Sequence, residues 1–87
     1  MTRKSLRILY IDEYPLDRAL VRDALVAAWE DVELVEAASR DDFNELLPTG
    51  NFDLVLSDFN IMGFTGLHVL EAVQKRLPGT PVIIVTG

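Results

Sequence analysis

Apolar residues fall into short unbroken runs separated by amphipathic stretches, a pattern that predicts four strands alternating with three helices. The segment Leu6–Ile11, "LRILYI", is rich in branched and aromatic residues and stops at Asp12-Glu13, as a first strand would. Tyr14 precedes Pro15 and is biased away from helical geometry, whereas Pro15 suits a first helical turn. Over 16–29, Leu16, Leu20, Ala24 and Ala27 recur at helical spacing, flanked by Val21, Leu25 and Ala28. Arg18, Arg22 and Asp23 take the other side, so the first helix is amphipathic. Val32–Ala37 partly alternates apolar with acidic residues, which predicts an edge strand with one wetter face.

Ser39 is placed to cap a short helix that carries Phe43, Leu46 and Leu47 and stops at Pro48. Gly50-Asn51 turns the chain into a third strand over 52–57. A loop over 58–64 leads to Thr65, the expected cap of a helix over 66–77 whose Leu67, Leu70 and Val73 share a face. Pro78-Gly79 ends that helix, and Pro81 opens a fourth, wholly apolar strand, Val82–Val85. Strand-helix alternation with short connections implies an α/β fold: a doubly wound parallel sheet covered on both faces and joined by right-handed crossovers.

Eighty-seven residues allow one domain over 1–87, and a chain this short buries only about 60–65% of its unfolded surface. A hydrophobic share of 49% against 25% charged residues still places it among folding globular proteins. The 14 acidic residues outnumber the 8 basic ones, and a net charge of −6 argues against direct nucleic-acid binding and against anionic membrane surfaces. Without cysteine there is neither a disulfide framework nor a thiolate metal site, which fits a cytoplasmic location. Arg3, Lys4 and Arg7 precede an apolar run that Asp12 cuts far short of a signal-peptide core, and no later run reaches a membrane-spanning length. The expectation is therefore a soluble, unprocessed chain.

In open parallel sheets, ligands bind beyond the carboxyl ends of the strands where strand order reverses. Here strand one ends at Asp12-Glu13, strand three at Asp58 in "LVLSDFNIMG", and strand four at Thr86. With strand order 2-1-3-4, three carboxylates and a hydroxyl are expected to converge. Crowded carboxylates repel and raise at least one pKa unless a cation neutralises them, and hard oxygen ligands suit Mg²⁺. Asp12 and Glu13 can share a metal only where the backbone is leaving the strand, a departure that Tyr14-Pro15 predicts. A carboxylate beside Mg²⁺ can attack a phosphoryl group, which makes Asp58 the candidate nucleophile. Thr86 is placed to donate a hydrogen bond to a phosphoryl oxygen and to report the modification by moving.

Through "YIDE", "VLSDFNIMGFTG" and "VIIVTG" the chain resembles the receiver domain of two-component response regulators, chemotaxis regulators among them. The resemblance implies a flavodoxin-like sheet. It implies that Asp58 accepts phosphate from a sensor histidine kinase or a histidine phosphotransfer protein. It also implies that Asp12, Glu13, Asp58 and the backbone carbonyl of Asn60 hold Mg²⁺, and that Thr86 is the switch hydroxyl. Such a domain is a regulatory phospho-acceptor and not an enzyme in the ordinary sense, because only its own phosphorylation and dephosphorylation are catalysed. Glu13 stands where a second aspartate is common, and Gly63 where the family usually has proline. Similar receivers continue through a fourth helix, a fifth strand and a fifth helix. The lysine that contacts the phosphoryl group and the aromatic switch residue lie in that part and have no counterpart here, and Lys75, on a helix, is no substitute. The domain is therefore expected to be C-terminally incomplete. An open fourth-strand edge then predicts self-association or strand exchange.

Taken singly, these residues read otherwise: Asp58 as a loop cap, Asp12-Glu13 as a solvated turn before a helix, Thr86 as an ordinary strand residue. Their convergence outweighs those readings. His68 reads as a partly exposed structural residue, and Trp29 as packing. A dehalogenase-type phosphohydrolase resembles D-x-D-x-T, whereas Asn60 replaces the second acid here. A flavodoxin cradles phosphate in a Ser/Thr/Gly-rich loop where this chain has "DEYPLD". The remaining alternative is a receiver-like interaction module that no longer cycles phosphate.

Overall fold

The computed structural model describes residues 5–61 and 64–85. Its order is β1 (Leu6–Ile11), α1 (Pro15–Ala28), β2 (Val32–Ala37), α2 (Arg40–Leu46), β3 (Leu54–Asp58), α3 (Gly66–Arg76) and β4 (Val82–Val85). A 3-10 turn, Leu47–Thr49, carries the chain through Pro48 after α2. Between β3 and α3, Asn60–Ile61 pairs antiparallel with Phe64–Thr65 where a loop was expected.

The main sheet is wholly parallel, in the expected order β2-β1-β3-β4. The chain steps from β1 outward to β2 and then returns past β1 to β3, so strand order reverses between β1 and β3. That reversal opens a crevice at the carboxyl ends of both strands.

Apolar side chains fill both faces of the sheet, because strand neighbours point to opposite sides. Leu9, Ile11 and Val55 pack with Phe43, Leu47, Val69 and Val73 of the α2 and α3 layer. Ile8, Tyr10 and Leu56 face the other way, against Val21 and Leu25 of α1. Gly66 opens α3 so close to β4 that a β-carbon there would lie 3.1 Å from Ile84 Cδ1, which seats this helix tightly on the sheet. Gly79, at φ +93°, supplies the left-handed turn that ends α3 beyond Pro78.

The caps form as expected, with one addition. Ser39 Oγ accepts from the Asp42 N–H at 3.2 Å, and Asp42 Oδ2 accepts in return from the Ala38 N–H. At α3, His68 Nδ1 accepts from the backbone N–H of Thr65 at 3.1 Å, and its ring stacks on Phe64. That bond gives His68 the structural role anticipated for it.

Two helix faces are rotated from their expected orientation. On α1, Leu16 and Leu20 are 79% and 69% exposed, and the side turned to the sheet carries Val21 and Leu25 instead. Arg18 turns inward with them, because its guanidinium bonds the Asp12 carbonyl and pairs with Glu36 of β2. On α3 the buried residues are Gly66, Val69 and Val73, whereas Leu67 faces solvent. Trp29 is half exposed and not a core residue.

Candidate functional site

Ile11 of β1 and Ser57 of β3 are register partners, so Asp12 and Asp58 are the next positions along the two strands. Both lie on the α1 side, two residues beyond Tyr10 and Leu56 respectively. They line one cavity of about 210 Å³ with Tyr10, Asp17, Leu20, Val21 and Val85. The cavity opens at the crevice where strand order reverses.

Asp12 is almost wholly buried, at 4% exposure, and every polar group it carries is engaged. Its Oδ2 accepts from the Tyr10 hydroxyl at 2.8 Å and its Oδ1 from the Tyr14 N–H at 2.9 Å. Its own N–H donates to the Ala37 carbonyl of β2, and its carbonyl accepts from Arg18 Nη1 at 2.7 Å. Arg18 and Arg22 in turn both pair with Glu36, at 3.4 and 2.8 Å, which ties α1 to β2 below the acidic edge. A buried carboxylate is tolerable only with such a set of donors.

Asp58 is half-buried at the end of β3. Its carboxyl is pushed above the usual aspartate range, first by burial and then by the charge of Asp12, with Asp17 and Glu13 adding repulsion. The Phe59 backbone N–H partly offsets these effects. The backbone around Asp58 is fixed on several sides. Ser57 Oγ donates to the Asp58 carbonyl at 2.8 Å, the Phe59 N–H donates to Val85, and the Phe59 carbonyl accepts from the Gly66 N–H. The start of α3 and the end of β4 therefore hold this carboxylate in place.

Glu13 takes another direction. It lines a neighbouring cavity of about 320 Å³ with Ala38, Ser39, Arg40, Asp41 and Ile61. Among the described residues, no three His, Cys, Asp or Glu side chains are gathered closely enough to hold a metal ion. Asp12 and Asp58 line one cavity, with Asp17 from the first turn of α1, and Glu13 lines the next, near enough that its charge still acts on Asp58. Adjacent strand residues point to opposite faces, and the Tyr14 N–H holds Asp12 Oδ1 in place. Asn60 is exposed and pairs with Thr65. Thr86 and Gly63 lie outside the described residues; Val85, immediately before Thr86, lines the cavity of Asp58.

Three participants escaped the sequence pattern. In the sequence Tyr10 counts only as part of the first apolar strand, Asp17 receives no role, and Arg18 stands opposite the apolar side of the first helix. The i, i+2 spacing of Tyr10 and Asp12 on one strand was the available signal, since it places both side chains on one face.

The oxygens at this edge fit a hard divalent cation. Burial and then the Asp12 charge push the Asp58 carboxyl up, and a cation beside the two carboxylates offsets the repulsion between them. Mg²⁺ commonly binds one or two carboxylates and keeps several of its waters, so a third side chain in the same cavity is not required.

The chain belongs to the response regulator receiver domain family, whose profile matches residues 8–87. It is 34% identical over 87 residues to the chemotaxis protein CheY of Pseudomonas aeruginosa, covering 94% of this chain and 67% of that protein. It is 32% identical to the glycerol metabolism activator of Pseudomonas putida, covering 93% of this chain but only 37% of that protein. Among solved structures, the response regulator TrrA of Thermotoga maritima, in complex with Mg(2+)-BeF, superposes with a TM-score of 0.83 at 30% identity. That match covers 93% of this chain and 69% of TrrA. The chain is thus a receiver domain of the two-component and chemotaxis type, with a flavodoxin-like sheet, and spans about two-thirds of the chemotaxis relative. Among the described residues no helix is long and apolar enough to cross a membrane.

Proposed function

We propose that this receiver domain is a phospho-acceptor whose accepting group is Asp58. The observation that carries the proposal is the shared cavity of Asp12 and Asp58 at the reversal of strand order. A carboxylate there is accessible, fixed through its backbone and raised in basicity by partial burial and by its neighbours.

In the reaction, an Asp58 carboxylate oxygen attacks the phosphorus of a phosphohistidine on a sensor kinase or phosphotransfer protein. The P–O bond forms as the P–N bond breaks, and the imidazole nitrogen leaves and takes up a proton. Water later attacks the phosphorus of the acyl phosphate, which returns inorganic phosphate and the free Asp58 carboxylate. Asp12 and Asp58 would hold Mg²⁺, with Glu13 and the Asn60 backbone carbonyl reaching in from the adjoining loops. When bound, Mg²⁺ supplies charge neutralisation for the transferred oxygens. The complex of TrrA with Mg(2+)-BeF supports this cofactor. Asp12 supplies a buried carboxylate whose Oδ1 the Tyr14 N–H already holds. Thr86, next after Val85, would receive the phosphoryl oxygen with its hydroxyl and carry the switch. Exposed Tyr14, Leu16, Leu20 and Phe59 supply apolar surface for a docking donor. The module acts in a cytoplasmic signalling chain and does no chemistry beyond its own phosphorylation cycle.

A second reading, an interaction module that does not cycle phosphate, draws on one observation: Glu13 lines the neighbouring cavity and is not among the residues lining that of Asp58. Site mapping separates the two. After incubation with an acyl phosphate and Mg²⁺, borohydride reduction should convert residue 58 alone to homoserine in the peptide map. Modification elsewhere, or none on a folded chain, would favour the interaction module.

A further inference from the structure

The phosphotransfer scheme gives no task to the buried hydroxyl of Tyr10, which sits in the wall of the acidic cavity. The ring is 2% exposed and packs on the α1 side of the sheet with Ile8, Leu56, Val21 and Leu25. Packing alone is served equally by phenylalanine, so the hydroxyl needs its own account. It donates to Asp12 Oδ2 at 2.8 Å.

Asp12 is thereby gripped at both oxygens, Oδ2 by Tyr10 and Oδ1 by the Tyr14 N–H. A carboxylate oxygen accepts about two hydrogen bonds, so each oxygen retains one acceptor site. With one site on each side fixed by protein donors, rotation of the carboxylate would break both bonds at once. We propose that Tyr10 is a positioning residue for Mg²⁺: its hydroxyl orients Asp12 so that the remaining acceptor sites face the cavity shared with Asp58. The inference rests on the proposed phospho-acceptor reading and extends it by one residue. Tyr10 acts through Asp12 and need not touch the ion. Removing an outer partner of this kind typically weakens metal binding by about 10–100-fold.

Calorimetric Mg²⁺ titration of the full chain tests this, using Tyr10→Phe, Asp12→Asn, the double variant and Asp58→Asn, each checked for folding by circular dichroism. Tyr10→Phe should weaken Mg²⁺ binding by about 10-fold or more. In the Asp12→Asn background the same change should add nothing, because the two residues act as a unit. Unchanged affinity in Tyr10→Phe, or an equal loss in both backgrounds, would reduce the hydroxyl to a structural role while leaving the phospho-acceptor reading intact. No Mg²⁺ binding by the unaltered chain would overturn that reading and this inference with it. If Tyr10→Phe does not fold, the unaltered chain is labelled with ¹³C at the ζ carbons of its two tyrosines. Mg²⁺ should then shift the Tyr10 signal, and a signal that stays in place contradicts the role.

Discussion

Asp12 and Asp58 stand one residue beyond the register pair Ile11–Ser57 and face a single cavity from neighbouring parallel strands. Burial, and then their mutual repulsion, hold the Asp58 carboxyl above its ordinary range. The same cost that this repulsion imposes on the resting fold favours a cation and, in the phosphotransfer reading, a reactive carboxylate.

That cost has a pH signature. Because the folded-state pKa of Asp58 is raised, the native chain binds more protons than the unfolded one just above the ordinary aspartate value. This contribution therefore reduces stability as pH rises through that window, and the reduction is fully present at neutral pH. In EDTA, Asp58→Asn should raise the thermal midpoint at pH 7, and the advantage should vanish below the unfolded aspartate pKa of about 3.9. Equal midpoints at pH 7 would contradict the assignment of repulsion to this site.

Mg²⁺ should reverse the same penalty. At about 100 times its Kd, a ligand that binds only the folded state adds about 2.7 kcal/mol. For a domain this small, each 1 kcal/mol moves the midpoint by about 4–8 °C. A rise of about 10–20 °C is expected in the unaltered chain, with most of it absent from Asp58→Asn. Equal rises in both would place the ion elsewhere.

The thin core makes the fold vulnerable at single positions. Phe43 is wholly buried and lies 5.6 Å, ring centre to ring centre, from Phe64 beneath the segment that follows Asp58. Phe43→Ala should cost about 3–5 kcal/mol, a large part of the stability of an ordinary domain, and urea titration measures it directly. A loss below about 1 kcal/mol would show that this layer is not the one holding α2 to the sheet.

Among the described residues, strand β4 forms one edge of the four-stranded sheet, with Ile83 and Val85 exposed at 49% and 41% and no charge within Val82–Val85. Uncharged, apolar edges pair with other chains. Light scattering should show mass rising with concentration, and Ile83→Lys should suppress the rise. A concentration-independent monomer would count against pairing through this edge.

The parallel sheet and its order were legible because unbroken apolar runs, proline and glycine punctuation and short connections leave few topologies open. Helix orientation was harder to read. On α1 two apolar stripes compete, Leu16-Leu20 and Val21-Leu25. The choice was made by Arg18, which reaches Asp12 and Glu36 only when the second stripe faces the sheet. At the site, strand ends located Asp12 and Asp58, but the donors that grip Asp12, the Tyr14 N–H among them, are contacts that residue spacing does not encode. Tyr10 was hidden for a related reason, since a residue that fills the core and also grips a carboxylate looks like core alone.

The most direct test of the account is intact mass after incubation with a small acyl phosphate and Mg²⁺, run beside Asp58→Asn and an EDTA control, with circular dichroism confirming that each chain is folded. A single phosphoryl adduct is expected on the unaltered chain, lost with EDTA and absent from Asp58→Asn. An unmodified folded chain, or an adduct that persists in Asp58→Asn, would contradict it.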